Sequence, residues 1–389
     1  MRRITALLGI VAGLALGTAA FAADEIVIGH LADITGGTGD VGKPYAEGVK
    51  AYTDYINAHG GINGKKIKLL SMDYAYKIPE ALNLYKKFKD QDKVVAIQGW
   101  GSGDTEALKE QVAKDEIPYF SASYSAHLTD PKKSPYNFFC APDYSTAARA
   151  GLKYLKDSWK EKRKPKVAFI YPDNGYGKAP IPGAKKYAEE LGFEIVPDEN
   201  VALNAIEATT QLLNLKKSEP DFAWIGGTKV STSVILKDAK KLGLKTKFFG
   251  NIWSGDEDMP KLTAGAEEGY LVMLGSDLYG EPGPGMKIIQ EVTKGQPVPQ
   301  HWIRGWISMM TMCEALKIAD KNKALNGPGI KKAAETLTNF NPMDLAPAIT
   351  YTATDHRPSM TVVVAEFQGG KLLKRKATEL PRKPEWLGL

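Results

Sequence analysis

Histidine and cysteine, which serve most often as catalytic bases and metal ligands, are scarce in this 389-residue chain. It has five histidines and two cysteines, and it contains no H-E-x-x-H, G-x-S-x-G or P-loop motif. Zinc hydrolases, nucleophile-elbow enzymes and nucleotide hydrolases therefore find no support in the sequence. No metal site and no cofactor site is predicted.

The two cysteines, Cys140 and Cys313, lie far apart in the apolar segments "NFFCAP" and "WISMMTMCEAL". They lack the clustering of a metal site. In an oxidising compartment they could pair, but two buried free thiols are the interpretation we prefer.

Long uninterrupted hydrophobic runs are absent after the N-terminus. The chain opens with Arg2 and Arg3, continues through the uncharged residues 4–19, and reaches Ala20-Phe21-Ala22. A short basic end, an apolar centre and small residues two apart predict a signal peptide over residues 1–23, cleaved near Ala22 or Ala23. A membrane anchor is the competing interpretation, although the run is short for a spanning helix. We expect an exported, periplasmic protein.

A single-sign charge excess is also missing. The formal net charge is +6, with 25% charged and 43% hydrophobic residues, a composition typical of globular proteins. Positive and negative residues are interspersed, so no nucleic-acid partner is predicted. About 365 residues remain after cleavage, which is enough for two domains of ordinary size.

Apolar runs with strand character alternate with helical periodicities along most of the chain. Tyr45, Val49, Tyr52 and Ile56 share one helix face. The predicted strands cover residues 26–31, 67–72, 94–98, 118–121, 167–171, 222–225, 248–251 and 270–274. Strand, helix and strand at this pitch predict an α/β fold with parallel, doubly wound sheets, in two lobes. From Ile349 onward the pattern changes to two extended segments around Gly369-Gly370, which predicts a hairpin.

The stretch "TGGTGDVGKP", residues 35–44, contains a literal G-x-G-x-x-G. In a dinucleotide fold the first glycine follows the strand at once and the third lies within the helix. Here about five residues separate the predicted strand from Gly37, and Pro44 is predicted to be the first helical residue. We therefore expect this loop to present backbone N–H groups at the carboxyl edge of the sheet instead of binding a dinucleotide.

The residues just downstream carry a family resemblance. "INAHGGING", residues 56–64, follows Thr35-Gly36, Gly42 and Gly48, and "GLKTKFFG" and "EEGYLV" come later in the same order. The chain resembles the periplasmic leucine/isoleucine/valine-binding proteins, the branched-chain amino-acid type of ABC-importer receptor. The resemblance implies two lobes joined by three crossings, with the ligand in the cleft. It places the first lobe at residues 24–141 and 276–350, and the second at 142–275 and 351–389.

The resemblance also implies ligand contacts. The carboxylate anchor of the family matches Ser102 in "QGWGSGDTEAL", where a helix is predicted to begin near Thr105. The helix N-terminus favours an anion, although a plain helix cap is the alternative for Ser102. Further anchors match Ser123 and Ser125, which otherwise read as an ordinary polar loop. The tyrosine that closes over the ligand matches Tyr176, otherwise a surface turn residue.

Two positions depart from the family pattern. The aromatic residue of the second lobe is replaced by Thr228, followed by Lys229, and the acid that pairs with the substrate ammonium falls on Ile252. Asp256 or Asp258 would have to replace that acid, or the ligand is a carboxylate without an α-ammonium. In the second case Trp100 and Trp253, with Tyr74 and Tyr76, would supply aromatic walls, and Lys229 would bind a second polar group of the ligand.

The resulting hypothesis is a monomeric receptor that captures a small carboxylate, an amino acid or an aromatic or aliphatic acid, and delivers it to a membrane ABC permease. A sensory receptor with the same two-lobed fold is the alternative, and an exported enzyme is a more distant one.

Overall fold

The computed structural model describes residues 25–389, so the predicted signal peptide lies outside the described residues. The first sheet contains five parallel strands in the order β2-β1-β3-β4-β5. They are β1 (Ile26–Ala32), β2 (Ile67–Asp73), β3 (Ala96–Gln98), β4 (Tyr119–Phe120) and β5 (Asn137–Phe138). β1, β3, β4 and β5 are almost entirely buried, as strands covered on both faces are, whereas the edge strand β2 is largely exposed or half-buried.

The second sheet contains eight strands, ordered β13-β12-β11-β10-β9-β6-β7 with β8 beside β6. They are β6 (Lys166–Tyr171), β7 (Glu194–Ile195), β8 (Glu199–Asn200), β9 (Phe222–Ile225), β10 (Lys247–Gly250), β11 (Leu271–Leu274), β12 (Thr361–Gln368) and β13 (Lys371–Glu379). β12 and β13 pair antiparallel, with Gly369 and Gly370 at φ 58° and 72° in the turn. The predicted hairpin is therefore present, but it begins at Thr361. Ile349 instead forms an isolated bridge with Phe340.

Twelve α-helices pack on these sheets within residues 25–389. They are α1 (Gly39–Ala58), α2 (Ile78–Asp90), α3 (Ser102–Asp115), α4 (Tyr144–Ser158), α5 (Gly175–Lys178), α6 (Ile181–Glu190), α7 (Thr209–Ser218), α8 (Lys229–Lys241), α9 (Met259–Thr263), α10 (Pro284–Val292), α11 (Gln300–Lys321) and α12 (Gly327–Ala334). None of the described helices is long and apolar enough to cross a membrane. The architecture is the doubly wound α/β fold that the sequence predicts.

Helices α1 and α11 lie in close contact. The predicted apolar face of α1 is buried. A Cβ on Gly48 would stand 1.9 Å from the Trp302 carbonyl oxygen, and one on Gly305 would stand 2.0 Å from the Tyr45 carbonyl oxygen. Since a side chain at either glycine would collide with backbone, these glycines permit the close approach.

The hydrophobic core divides between the two sheets. One buried cluster surrounds the first sheet together with α1 and α11, and two others cover the two faces of the second sheet. We call the first sheet with its helices, including α11, the first lobe, and the second sheet with its helices the second lobe. The exact bounds of the lobes stay a prediction. Cys140 and Cys313 are buried free thiols, as we expected.

Two helices begin earlier than predicted. Helix α1 begins at Gly39, not at Pro44, so Gly42 lies within the helix. The carboxylate of Asp33 accepts hydrogen bonds from Gly36 N (2.7 Å), Thr38 N (2.9 Å) and Thr38 Oγ1 (2.6 Å), which orders the loop ahead of the helix. Helix α3 begins at Ser102 and not near Thr105, with Gly101 at the N-cap.

Candidate functional site

A narrow cavity of about 20 Å³ lies between the two lobes, at the carboxyl ends of their strands. The first lobe contributes Thr38, Val41, Tyr76, Trp100, Gly101, Ser102 and Ala122, and the second contributes Tyr144, Tyr176, Thr228 and Trp253. Five of the predicted ligand-binding residues are thus brought together: Trp100, Ser102, Tyr176, Thr228 and Trp253. Open α/β sheets bind ligands at this edge.

Three serine hydroxyls form a triangle on the first-lobe side of the cavity, with the Ser125 and Ser102 oxygens 3.5 Å apart. The hydroxyl oxygens of Ser102 and Ser123 are 2.8 Å apart, and those of Ser123 and Ser125 are 3.1 Å apart. Ser102 lines the cavity as the first residue of α3. Its side chain does not cap the helix, since Gly101 holds the N-cap position. Ser123 and Ser125 lie behind it, so their direct contact with a ligand stays a prediction.

A buried carboxyl group supports the start of α3. Asp104 Oδ1 accepts a hydrogen bond from Tyr74 OH at 2.6 Å, and Oδ2 accepts one from Tyr119 OH at 3.3 Å. Burial raises the pKa of Asp104 to about 7, because desolvation disfavours the charged form. Tyr74 is therefore a supporting residue behind the cavity wall.

Aromatic side chains make up most of the cavity wall. Trp253 Nε1 donates to Tyr144 OH at 3.0 Å, and Trp100 Nε1 donates to Thr38 Oγ1 at 2.8 Å. Tyr176 OH donates to the Gly227 carbonyl oxygen at 2.9 Å. These bonds satisfy the polar atoms of the rings and hold their apolar surfaces toward the cavity.

One hydroxyl of the lining makes no well-formed hydrogen bond. Thr228 Oγ1 is buried and makes no hydrogen bond of normal geometry among the described residues, although the backbone of Ser231 and the Asp40 carboxylate lie near it. A buried polar atom without a partner is costly, so this oxygen is available to a bound polar group.

Carboxylates are missing from the cavity lining, and those nearby have other partners. Asp256 is fully buried, and its Oδ2 lies 2.8 Å from Lys229 Nζ. Asp258 pairs with Lys261 at 2.6 Å. Neither Lys229 nor either aspartate lines the cavity, so the predicted contact between Lys229 and the ligand stays a prediction. Ile252, which matches the acidic position of the resembling family, is buried and apolar.

Polar contacts join the two lobes beside the cavity. Asp40 Oδ2 on α1 accepts a hydrogen bond from Val230 N at 3.0 Å, in the first turn of α8. Glu257 Oε2 accepts one from Gln300 N at 3.0 Å, at the start of α11. Each lobe thus supplies a carboxylate to a helix N-terminus of the other, where the helix dipole favours negative charge.

The family model described as "Periplasmic binding protein" matches residues 25–371. The chain belongs to this family. The chain is also similar to an amino acid binding protein of Pseudomonas aeruginosa, with 24% identity over 83% of this chain and 84% of the relative. The family consists of substrate-binding proteins, and its name places its members in the periplasm.

Solved structures agree with this membership. A substrate-binding protein of an ABC transporter from Aeropyrum pernix is 30% identical, with a TM-score of 0.87 over 93% of this chain and 98% of the other. A branched-chain amino acid ABC transporter protein from Thermus thermophilus with bound valine is 24% identical, with a TM-score of 0.86 over 92% of this chain and 97% of the other. A solute-binding protein from R. palustris in complex with benzoate is 18% identical, with a TM-score of 0.80 over 94% of this chain and 99% of the other. All three share the two-lobed fold of this periplasmic binding protein.

Sequence reasoning missed several residues of the cavity of this binding protein. Tyr144 begins α4 directly after the chain enters the second lobe, and no motif marks it. Thr38 and Val41 belong to the glycine-rich stretch, whose placement at the sheet edge was predicted without naming side chains. Tyr76, by contrast, was predicted as an aromatic wall residue from its position after a strand, and it lines the cavity.

The buried Asp104 predicts a pH-dependent stability. Its pKa rises from 3.8 to about 7 on folding, so between these values the folded protein holds a proton that the unfolded chain has released. Raising the pH through this range therefore costs stability. In Asp104→Asn this cost is absent, and we expect the melting temperature of the variant to gain about 2–4 °C on wild type between pH 5 and pH 8. Calorimetric melting at both pH values measures the gain.

Asp115→Asn is the matched control on the same helix. Asp115 also accepts a hydrogen bond from a tyrosine, Tyr85 OH at 2.8 Å, but its pKa is lowered. Asp115 is ionised at both pH values, so the difference in melting temperature between Asp115→Asn and wild type should be the same at pH 5 and pH 8. If the difference in melting temperature between Asp104→Asn and wild type is also the same at both pH values, the raised pKa of Asp104 is contradicted.

The contact between Asp40 and Val230 predicts an effect on lobe closure. Asp40→Ala removes the acceptor for Val230 N, and a hydrogen bond of this kind contributes about 1 kcal/mol. We expect the open form to gain population, so that small-angle scattering gives a larger radius of gyration than wild type. Asp54→Ala is the control, because Asp54 lies on the same helix but pairs only with exposed Lys50. Identical scattering from all three proteins would exclude the contact as a closure element.

Proposed function

We propose that this protein is the receptor of an ABC importer, and that it closes its two lobes over a small organic carboxylate that lacks an α-ammonium group. The observation that carries the proposal is the lining of the cavity. It combines a helix N-terminus and hydroxyls with aromatic rings, and it includes no carboxylate.

The start of α3 is the proposed carboxylate site. Helix N-termini carry unpaired N–H groups and the positive end of the helix dipole. Ser102 adds a hydroxyl at this point, with Ser123 behind it to accept or donate the second hydrogen bond. The unpaired Thr228 Oγ1 approaches from the other lobe. A ligand held by both would stabilise the closed arrangement.

The surroundings of the cavity disfavour an ammonium group. A desolvated ammonium needs a carboxylate partner, and freeing Asp256 for this role would leave Lys229 with only Asp258 at 3.8 Å, which already pairs with Lys261. Breaking a buried ion pair costs about 3–5 kcal/mol. The two-lobed fold itself accepts either class, since one solved neighbour contains valine and another benzoate. Because Asp256 already pairs with Lys229, the site favours an acid without an ammonium group.

Transport follows from closure in this proposal. The open cleft admits the acid in the periplasm, and contacts from both lobes shift the population toward the closed form. The membrane permease distinguishes the closed receptor from the open one and accepts the ligand from it. The receptor acts as a monomer and makes or breaks no covalent bond.

Calorimetry with matched ligand pairs tests the ligand class. Leucine and phenylalanine are compared with their deaminated counterparts, 4-methylpentanoate and 3-phenylpropanoate. We expect at least one acid to bind and to bind about tenfold or more tightly than its amino acid, because an unpaired ammonium must be desolvated. Tight binding of an amino acid with no binding of either acid would refute the proposal.

Ser102→Ala tests the carboxylate site. A hydrogen bond to a charged group contributes about 1.5–3 kcal/mol, so the variant should bind the preferred acid roughly ten- to a hundredfold more weakly. Its melting temperature without ligand should stay close to that of wild type. Ser134→Ala is the control, because Ser134 is equally buried, has an unpaired hydroxyl and lies outside the cavity lining. Wild-type affinity in Ser102→Ala would remove Ser102 from the site.

A further inference from the structure

Arg304 on α11 is a buried cation without an ion-pair partner. Its side chain has no exposed surface, and no carboxylate of residues 25–389 lies within 4 Å of its guanidinium group. Nη2 donates to His301 Nδ1. Nε and Nη1 have no hydrogen-bond partner among the described residues. Burying a charge in this state is costly unless something compensates it.

The neighbouring side chains compensate this charge only in part. The guanidinium carbon lies 3.8 Å from the ring centre of Trp253 and 5.9 Å from that of Tyr124, and aromatic faces attract cations. Because His301 Nδ1 accepts from Arg304, its proton is assigned to Nε2, which lies 3.5 Å from Asp256 Oδ2. Burial and the adjacent guanidinium lower the pKa of His301, so the imidazole is neutral and adds no countercharge.

Trp253 connects this cation with the ligand cavity. Its ring contacts the guanidinium group and also forms part of the cavity wall. The other cation near the cleft, Lys229, is neutralised by Asp256 at 2.8 Å. An anionic ligand in the cavity would thus lie about one aromatic ring away from an uncompensated positive charge in a water-poor interior, where charges interact strongly.

We propose that Arg304 is a specificity-determining residue, whose charge acts through Trp253 to favour anionic over neutral ligands in the cavity. The inference rests on the proposed function, because it concerns the carboxylate of the same ligand. It assigns the long-range electrostatic preference to Arg304 and the direct hydrogen bond to Ser102. The two contributions are separable, because a uniform loss of packing would weaken acids and neutral analogues alike.

The test compares an acid with its own primary amide. Dissociation constants of 4-methylpentanoate, 3-phenylpropanoate and their amides are measured by calorimetry for wild type, Arg304→Met and Arg304→Lys. In Arg304→Met we expect the acid to bind about tenfold more weakly and the amide to change less than about twofold, from Coulomb attraction at an effective dielectric constant of about 20. Arg304→Lys keeps the charge and should keep the preference for the acid.

Arg149→Met is the matched control. Arg149 is also a buried arginine against a tryptophan, with its guanidinium carbon 4.6 Å from the Trp386 ring centre, but it does not line the cavity. Its ratio of acid to amide affinity should equal that of wild type. If Arg304→Met gives no cooperative melting transition, Arg304→Gln, which keeps a donor for His301 Nδ1, takes its place.

The outcomes separate this inference from the proposed function. Acid binding in wild type with the same acid-to-amide ratio in the neutral Arg304 variant overturns the role of Arg304 alone. A loss of the preference in Arg304→Lys equal to that in Arg304→Met also overturns it, because geometry and not charge would then decide. A wild-type protein that binds neither acid overturns the carboxylate class and this inference with it.

Discussion

The insertion of Trp253 into the first lobe is the contact on which the closed arrangement depends. Trp253 follows β10 of the second lobe, yet it belongs to the hydrophobic cluster of the first. Its ring centre lies 5.0 Å from Trp100, 5.4 Å from Tyr124 and 5.8 Å from Tyr45. Aromatic pairs at these distances add to the free energy of burial. Because the same ring lines the cavity, one side chain makes the lobe contact and would make the proposed ligand contact, which in the proposed function couples closure to binding.

Charge pairing across the cleft follows a consistent pattern around this contact. The carboxylates of Asp40 and Glu257 bind helix N-termini of the opposite lobe, whereas Asp256 pairs with Lys229 within the second lobe. Burial raises the pKa of Asp40 and of Glu257, so closure is opposed by the desolvation of these two carboxyl groups and favoured by the bonds they form. A closed state that depends on such balanced contributions can be shifted by the modest free energy of a small ligand.

The fold was accessible from the sequence because its signals are local. The period of the apolar face of α1 and the Gly369-Gly370 turn each lie within one element, and both are present in the structure. The starts of α1 and α3 were misplaced for a reason that is not local to the helix. The Asp33 carboxylate orders residues ahead of Gly39, and no propensity of the helix itself indicates that bond.

The site was accessible only where strand ends and the family resemblance pointed to it. Ser102, Trp100 and Trp253 follow strands, and all three line the cavity. Tyr144 and Arg304 lie within helices that reach the cleft through tertiary packing. In the sequence Arg304 stands in the apolar stretch of α11, where a lone arginine carries no sign of its missing partner. Only the arrangement of both lobes reveals that its guanidinium is unpaired.

The hydrogen-bond partners of the three serine hydroxyls bear on whether this site suits binding or catalysis. A serine nucleophile needs a base within hydrogen-bond reach. The hydrogen-bond partners of the Ser102 hydroxyl among the described residues are the hydroxyls of Ser123 and Ser125, and His301 is engaged by Arg304. Hydroxyls that bond to one another can turn their protons toward an anion without losing their own contacts. The helix N-terminus on one side and the unpaired guanidinium behind Trp253 are the two features on which the proposed anion site rests.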